Sequence, residues 1–442
     1  MRHLLLILAV LFPALFVSAA KPDDLPAIPA PVIPDRTFNI TDYGALPDGK
    51  TINTDAIVKA ISAATAAGGG RVLIPAGSFL TGPFALASNI DLHLDAGSVL
   101  RLSDKTSDYP LSNNRYKDCI TAVDCHDLSI TGEGTIDGQG KNWWTAFRGQ
   151  AQAGAAAALP DAPSPHRPFL VAIRNTRRLR VTGITIQNSP MFNLVPQSCR
   201  DVLIDGITIK DPSNSPNTDG IDPSGWNFLI TNCHIDVGDD CIALKPNPGN
   251  ARSSLKPAPD SLSCEDFLIT HCTFLHGHGM SIGNPSAGGV RRLLVRDCTF
   301  DGTDTGIRLK SQRGKGGVVE DLTYENLTMI HIVKDAILIT SYYPTIPNNS
   351  QNDPAQPADA NTPVWRNIKI KNVTASGSKQ AARIIGLAEA PITGLTLENV
   401  TLSGQTGIQF IHAHGVQCTS TKVTAAKGEA VVSFDSDVTG LP

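Results

Sequence analysis

The chain has 442 residues, 41% hydrophobic and 18% charged, enough to bury a large core as several domains or as one long all-β domain. A formal net charge of −4 excludes a globally basic nucleic-acid-binding surface. Only 5% of residues are aromatic, while 38 Gly and 31 Pro favour many short strands joined by turns.

The N-terminus reads as a secretory signal over residues 1–20. Arg2 and His3 precede an apolar run from Leu4 to Val17, and Ser18-Ala19-Ala20 offers a small-residue cleavage site. That run is short for a membrane span and no stop-transfer pattern follows, so export is favoured over an uncleaved anchor. No Cys stands near the cleavage site to carry a lipid. The mature protein is expected to be secreted, extracellular or periplasmic, with no membrane association after cleavage.

A Pro-rich leader (21–36) follows, and 37–442 is expected to form a single domain. Asp42-Tyr43-Gly44-Ala45 marks a turn after a first strand. The segment from Asn53 to Ala67 is the one clear helical pattern: Ile57, Ala60, Ile61 and Ala64 share a face, Asn53 or Thr54 can cap it, and Gly68-Gly69-Gly70 ends it. One amphipathic helix ahead of continuous β sequence suggests a lid on the end of a repeat stack.

The repeat is read by superposing Leu179 to Ile186, Val202 to Ile209 and Phe228 to Ile235. The segments starting at Phe267, Leu293, Leu322, Ile368 and Leu395 fit the same eight positions. Most intervals are 23 to 29 residues; the two longer ones hold insertions at 245–263 and 344–363. A period in the twenties with β-branched alternation indicates a β-solenoid, whose rungs stack in parallel about 4.8 Å apart. A second ladder runs through Ile221, Ile242, Met280, Ile307, Ile337 and Ile408, with Leu244, Ile282, Leu309, Ile339 and Phe410 two residues on.

Nine cysteines leave at least one thiol unpaired in an exported chain. Cys233, Cys272 and Cys298 share a repeat position and read as small buried apolar residues. A Cys119–Cys125 bridge, or one using Cys241, stays open, and no zinc-ligand spacing occurs.

Four short segments carry the chemistry: Asn217-Thr218-Asp219-Gly220, Gly238-Asp239-Asp240-Cys241, Gly277-His278-Gly279 and Arg308-Leu309-Lys310. Two residues before the second ladder stand Asp219, Asp240 and His278; one past it stand Asp222, Ala243, Ser281 and Arg308; three past it stand Lys245, Gly283 and Lys310. Adjacent rungs therefore gather them into a patch expected to be acidic at one edge and basic at the other. Strict alternation would place Asp219 on the side of the ladder, so a bend is expected at the following Gly or Cys. Carboxylates this close raise one another's pKa, and one protonated with one ionised carboxyl suits cleavage of a glycosidic bond. A structural Asp ladder or a Ca²⁺ site is the bland alternative.

Taken in order on a solenoid, these four segments resemble the signature motifs of glycoside hydrolase family 28, the polygalacturonases. The likeness runs from about Phe38 through Gly134-Thr135-Ile136-Asp137-Gly138-Gln139-Gly140 to beyond Tyr343. The resemblance implies a right-handed parallel β-helix hydrolysing α-1,4 bonds of polygalacturonate in pectin, with inversion and with neither a metal nor another cofactor. It implies Asp239 as general acid, Asp219 and Asp240 holding and deprotonating the attacking water, and His278 beside the acid. Arg308 and Lys310 would bind the substrate carboxylate, and Tyr343 would contact sugar beside Tyr342. Asn217 would order the turn presenting Asp219. Carboxyls on adjacent rungs lie about 5 Å apart, a spacing that the general rule associates with retention, against about 6.5–9.5 Å for inversion; the resemblance implies inversion nonetheless.

Weaker readings concern Trp143 and Trp144 (sugar stacking, or packing beneath a loop), Lys245, Arg313 and Lys315 (basic subsites, or solvated turns), and His276, His412 and His414 (ordinary histidines). The insertions at 147–168, 245–263 and 344–363 could wall one end of a cleft and decide exo against endo attack. Competing functions are a β-helical pectate lyase, disfavoured by the motif order, and a non-catalytic carbohydrate-binding β-helix. A monomer acting on pectic polysaccharide is expected.

Overall fold

The computed structural model describes residues 27–156, 166–246 and 263–441. The expected signal segment lies outside these residues, as do parts of the leader and of the first two insertions.

The chain coils so that each turn lays three short strands onto three parallel stacks. Sheet A runs from Thr37–Asn39 and Gly70–Ile74 through Arg177–Thr182, Cys199–Asp205, Gly225–Thr231 and Cys264–Thr270 to the long strands Val318–Ile330, Val364–Ile385 and Ile392–Thr419. Sheet B contains Asp48–Ile52, Thr185–Gln187, Thr208–Lys210 and His234–Asp236. Sheet C contains Ile120–Val123, Val171–Arg174, Leu194–Gln197, Ile242–Leu244, Met280–Ile282, Thr305–Lys310 and Asp335–Thr340. This is the parallel β-helix that the repeat predicts.

The register explains the repeat. Leu179, Val202, Phe228, Phe267, Leu293, Leu322, Ile368 and Leu395 are successive partners across sheet A. The fifth position of each repeat is the corner between sheets A and B and is left-handed throughout, from φ 75° at Gly183 to φ 54° at Asn232 and φ 53° at Asn399. Asn tolerates that conformation and also bridges rungs: Asn399 donates to Asn372 at 2.8 Å, and Asn372 to Asn326 at 3.0 Å. Inside the corner, aromatic rings stack along the axis, Phe228 on Phe267 at 4.4 Å between centroids. Each such buried ring contributes about 1.5–3 kcal/mol.

Sheet C follows the predicted second ladder, Ile242 to Met280 to Ile307 to Ile337. One rung was skipped in the sequence: Ala382 and Ile384 sit between Ile337/Ile339 and Ile408/Phe410. Small Ala382 hides the apolar pattern there.

The capping helix α1 (Thr54–Ala66) buries Ile57, Ala60, Ile61 and Ala64, as expected. Its N-cap does not follow the expectation. The Asn53 side chain makes no capping bond; its amide instead holds the backbone of Leu46, Thr51 and Leu80, tying the lid to the first turns. A second helix, α2 (Lys141–Ala156), corrects the one-helix expectation. Trp143 and Trp144 on it pack inward: Trp143 meets Tyr109 and Tyr116 edge-on, and Trp144 Nε1 donates to the Ser189 carbonyl at 2.9 Å. All nine cysteines are buried and free, so neither disulfide left open forms.

Candidate active site

The site stands where sheet C is thinnest. Ile221 joins the stack by single bridges to Leu194 and Ile242 rather than by a full strand. The expected bend is at Gly220 and Cys241: each is followed by an inward ladder residue, and a Cβ at Gly220 would lie 2.4 Å from the Cys241 carbonyl oxygen. Two consecutive inward positions turn Asp219 and Asp222 outward together. Asn217 initiates the bend at φ 53°, and the Thr218 hydroxyl accepts from the Gly238 amide at 3.1 Å.

The carboxylates differ sharply in company. Asp240 is buried, and its Oδ1 accepts from Arg308 Nη1 (2.6 Å) and Ser281 Oγ (2.8 Å), its Oδ2 from Lys310 Nζ (2.7 Å). Burial opposes its ionisation, but Lys310 and Arg308 overcome it and hold the carboxyl well below the usual range. Asp219 accepts from Lys245 Nζ through Oδ2, while its Oδ1 is buried without a partner. Here burial prevails over Lys245 and, with the neighbouring carboxylates, pushes the group well above the usual range. Asp222 shares Lys245 at 2.8 Å and is pushed up to about 6, chiefly by burial.

Asp239 is the more open of the pair. Its Oδ1 lies 3.0 Å from His278 Nδ1 and accepts from the Asp240 amide at 2.9 Å; its Oδ2 receives Asn217 Nδ2 at 3.4 Å. Burial raises its pKa, but contact with His278 more than compensates and holds it low. His278 is in turn held up against burial by Asp239 and Asp240. Its Nε2 is 3.5 Å from Asp304, which Lys334 engages at 2.5 Å.

The eight predicted residues are thus brought onto neighbouring rungs, with one correction. Acid and base are interleaved rather than split between two edges, because Arg308 and Lys310 reach back to Asp240 and Lys245 lies between Asp219 and Asp222. Lys310 is 4% exposed and Arg308 16%, so Arg308 is the more accessible cation. Tyr343 packs against Lys310, ring centroid 5.3 Å from Nζ. Tyr342 instead donates to Asp353 at 2.9 Å in a cluster where Arg313 is paired with both Asp353 and Glu389.

Two residues were underweighted in the sequence. Lys245, read as a peripheral charge, is central; its place three past the ladder was the available signal. Arg167 carried none: it is buried, donates to Asn217 Oδ1 at 2.8 Å and to the Pro190 and Pro216 carbonyls, and packs over Phe147 of α2. Burial lowers its pKa to about 10 despite Asp219 and Asp239 nearby.

Asp239, Asp240 and His278 offer ligand atoms within 4.8 Å of one another, a spacing that suits a cation. Two protein cations already neutralise Asp240, however, and a bound ion would have to displace them or face them at close range. The donor set fits a proton relay better than a metal.

The family model described as glycosyl hydrolases family 28 matches residues 65–426. A probable polygalacturonase of Vitis vinifera is 31% identical, with 83% of this chain and 74% of that protein covered. An endo-polygalacturonase of Pectobacterium parmentieri is 32% identical, covering 77% and 82%. The solved exopolygalacturonase of Thermotoga maritima superposes with a TM-score of 0.71 at 25% identity, over 92% of this chain and 94% of that one.

Proposed function

The chain belongs to glycosyl hydrolase family 28, and from that premise we propose that it hydrolyses α-1,4-galacturonosidic bonds of polygalacturonate, inverting the anomeric centre. The observation that carries this is the contact of Asp240 with Arg308 and Lys310 beside the Asp239–His278 pair. It sets two cations, able to take a uronate carboxylate, against a proton donor and a proton acceptor.

In this reading Asp239 protonates the leaving oxygen. The proton rests on His278 in the free site and passes to Asp239 when substrate displaces water, because a neutral pair is favoured over an ion pair as the dielectric falls. Asp219 and Asp240 hold the attacking water. When the uronate carboxylate draws Arg308 toward itself, Asp240 loses part of its compensation and becomes a stronger base. Substrate binding thereby primes both proton transfers.

The site is assembled from rungs of one chain, which supports action as a monomer. The N-terminal segment 1–20 supports export. Among the described residues no helix is long and apolar enough to cross a membrane.

The test is incubation with polygalacturonate, with products resolved by size and ultraviolet absorbance. Saturated galacturonate mono- or oligomers support the reading. Unsaturated uronides would replace it with a lyase, and the absence of any product with a non-catalytic binding module.

A further inference from the structure

Sheet A carries an outward column at its first strand position, and its charge pattern changes along the axis. Toward the C-terminal end, Arg291 Nε stands 3.4 Å from Glu265, and Arg366 Nε donates to Glu320 at 2.7 Å. Every arginine there has an acid one rung away. Earlier in the same column, His126, Arg177, Arg200 and Trp226 follow one another in register. Arg177 and Arg200 are both exposed, sit about 4.8 Å apart along the stack, and have no carboxylate partner among the described residues. Arg200 packs over the indole of Trp226 at 5.3 Å, and Trp226 Nε1 donates to Asp266, which fixes the ring.

These side chains line a groove of about 460 Å³ at the corner between sheets C and A. Of the nearby acids, Asp127 is paired with Arg178 at 2.6 Å, whereas Asp124 on the groove wall accepts from the neutral Asn175 amide at 2.6 Å and keeps its charge beside the two arginines. Two guanidinium groups in register, one held by an aromatic face, form a fork for carboxylates spaced along a chain.

We propose that this groove is a second, non-catalytic site for an acidic polysaccharide, in which Arg177 and Arg200 take carboxylates of the polymer and Trp226 fixes Arg200. The inference rests on the reading that the substrate is a polyuronate. Short oligomers fill the catalytic cleft alone, whereas a long polymer also occupies the groove and is retained near the site.

The experiment compares Asp239→Asn with the triple variant Asp239→Asn/Arg177→Ala/Arg200→Ala by affinity electrophoresis in gels containing polygalacturonate or neutral dextran. With each variant's mobility in dextran as its own reference, which absorbs the change in net charge, the triple variant is expected to lose retardation in polygalacturonate about tenfold, as two charge-assisted contacts are removed. In the active background, Arg177→Ala/Arg200→Ala keeps its kcat/KM on trigalacturonate and loses it on polymer. Arg177→Lys/Arg200→Lys restores part of the retardation. Equal retardation of the triple variant and its parent overturns the proposal, as does an equal loss on trigalacturonate and polymer. Failure of the unaltered enzyme to cleave trigalacturonate would count against the hydrolase reading instead, while the gel would still judge the groove.

Discussion

His278 Nδ1 lies 3.0 Å from Asp239 Oδ1, and 3.5 Å from Asp240 Oδ1. One imidazole therefore touches both members of the Asp-Asp pair, and the pair is asymmetric because only Asp240 also meets Arg308 and Lys310. Lys310 and Arg308 hold Asp240 in its ionised form, while the side-chain contact that favours ionised Asp239 is with His278. Two adjacent identical side chains thus sit in different electrostatic company, and the acid and base roles proposed for them follow from that difference.

Asp239→Asn should reduce kcat on polygalacturonate about 10²–10⁴-fold, the usual range for a lost general acid. The amide oxygen can still accept from the Asp240 backbone, so the melting temperature should stay within a few degrees of the parent. Turnover and thermal melts on the same preparation check both halves. Full activity would remove Asp239 from the acid role.

Lys245→Met should move the acidic limb of the kcat/KM profile to higher pH. In the proposed role Asp219 must be ionised to accept a proton from water, and burial already holds its pKa above the usual range. The Lys245 ammonium favours the ionised form, so its loss raises that pKa further and delays ionisation as pH increases. Met keeps an apolar stem against Phe192, whose ring centre lies 4.1 Å from the ammonium. A pH–rate profile decides; an unmoved limb would mean that Asp219 does not govern it.

Arg308→Lys should raise KM for uronide substrates at least about tenfold, because one charge-assisted hydrogen bond contributes about 1.5–3 kcal/mol and lysine lacks the planar fork. Asp240 keeps Lys310, so kcat should fall less than KM rises. Initial rates on polygalacturonate against its methyl ester measure the effect. A variant with unchanged discrimination between them would place carboxylate recognition elsewhere.

Much of this arrangement was legible before any coordinates. The eight-residue repeat gave the rung register, while the left-handed corner at its fifth position is a finding of the structure that Gly183, Gly206 and Asn232 are suited to occupy. The ladder from Ile221 to Ile337 fixed which polar residues share a face, and hence the grouping of Asp219, Asp240, His278 and Arg308. What stayed hidden depends on contacts rather than periodicity. Arg167 reaches Asn217 across 50 positions without any pattern of its own. Helix α2 is Ala- and Gln-rich, and its large apolar residues are confined to Trp143, Trp144 and Phe147 in the first half, too little to announce a helix in a β sequence. The Lys310–Asp240 pairing, which crosses one intervening rung, follows from side-chain length and not from register.

Phe267→Ala should destabilise the fold by about 3–5 kcal/mol, whereas Phe434→Ala should cost well under about 1 kcal/mol. Phe267 is fully buried and stacked on Phe228, with Leu293 on the next rung, so truncation leaves a void that rigid neighbours on both sides cannot fill. Phe434 is 44% exposed on the last strand, its ring centre 6.0 Å from that of His412. Because each rung of a solenoid contacts its immediate neighbours, a break in the middle divides the stack, and a defect at the end frays it. Denaturant unfolding of the two variants checks the contrast. Equal losses would mean that stability is shared along the whole coil rather than carried rung by rung.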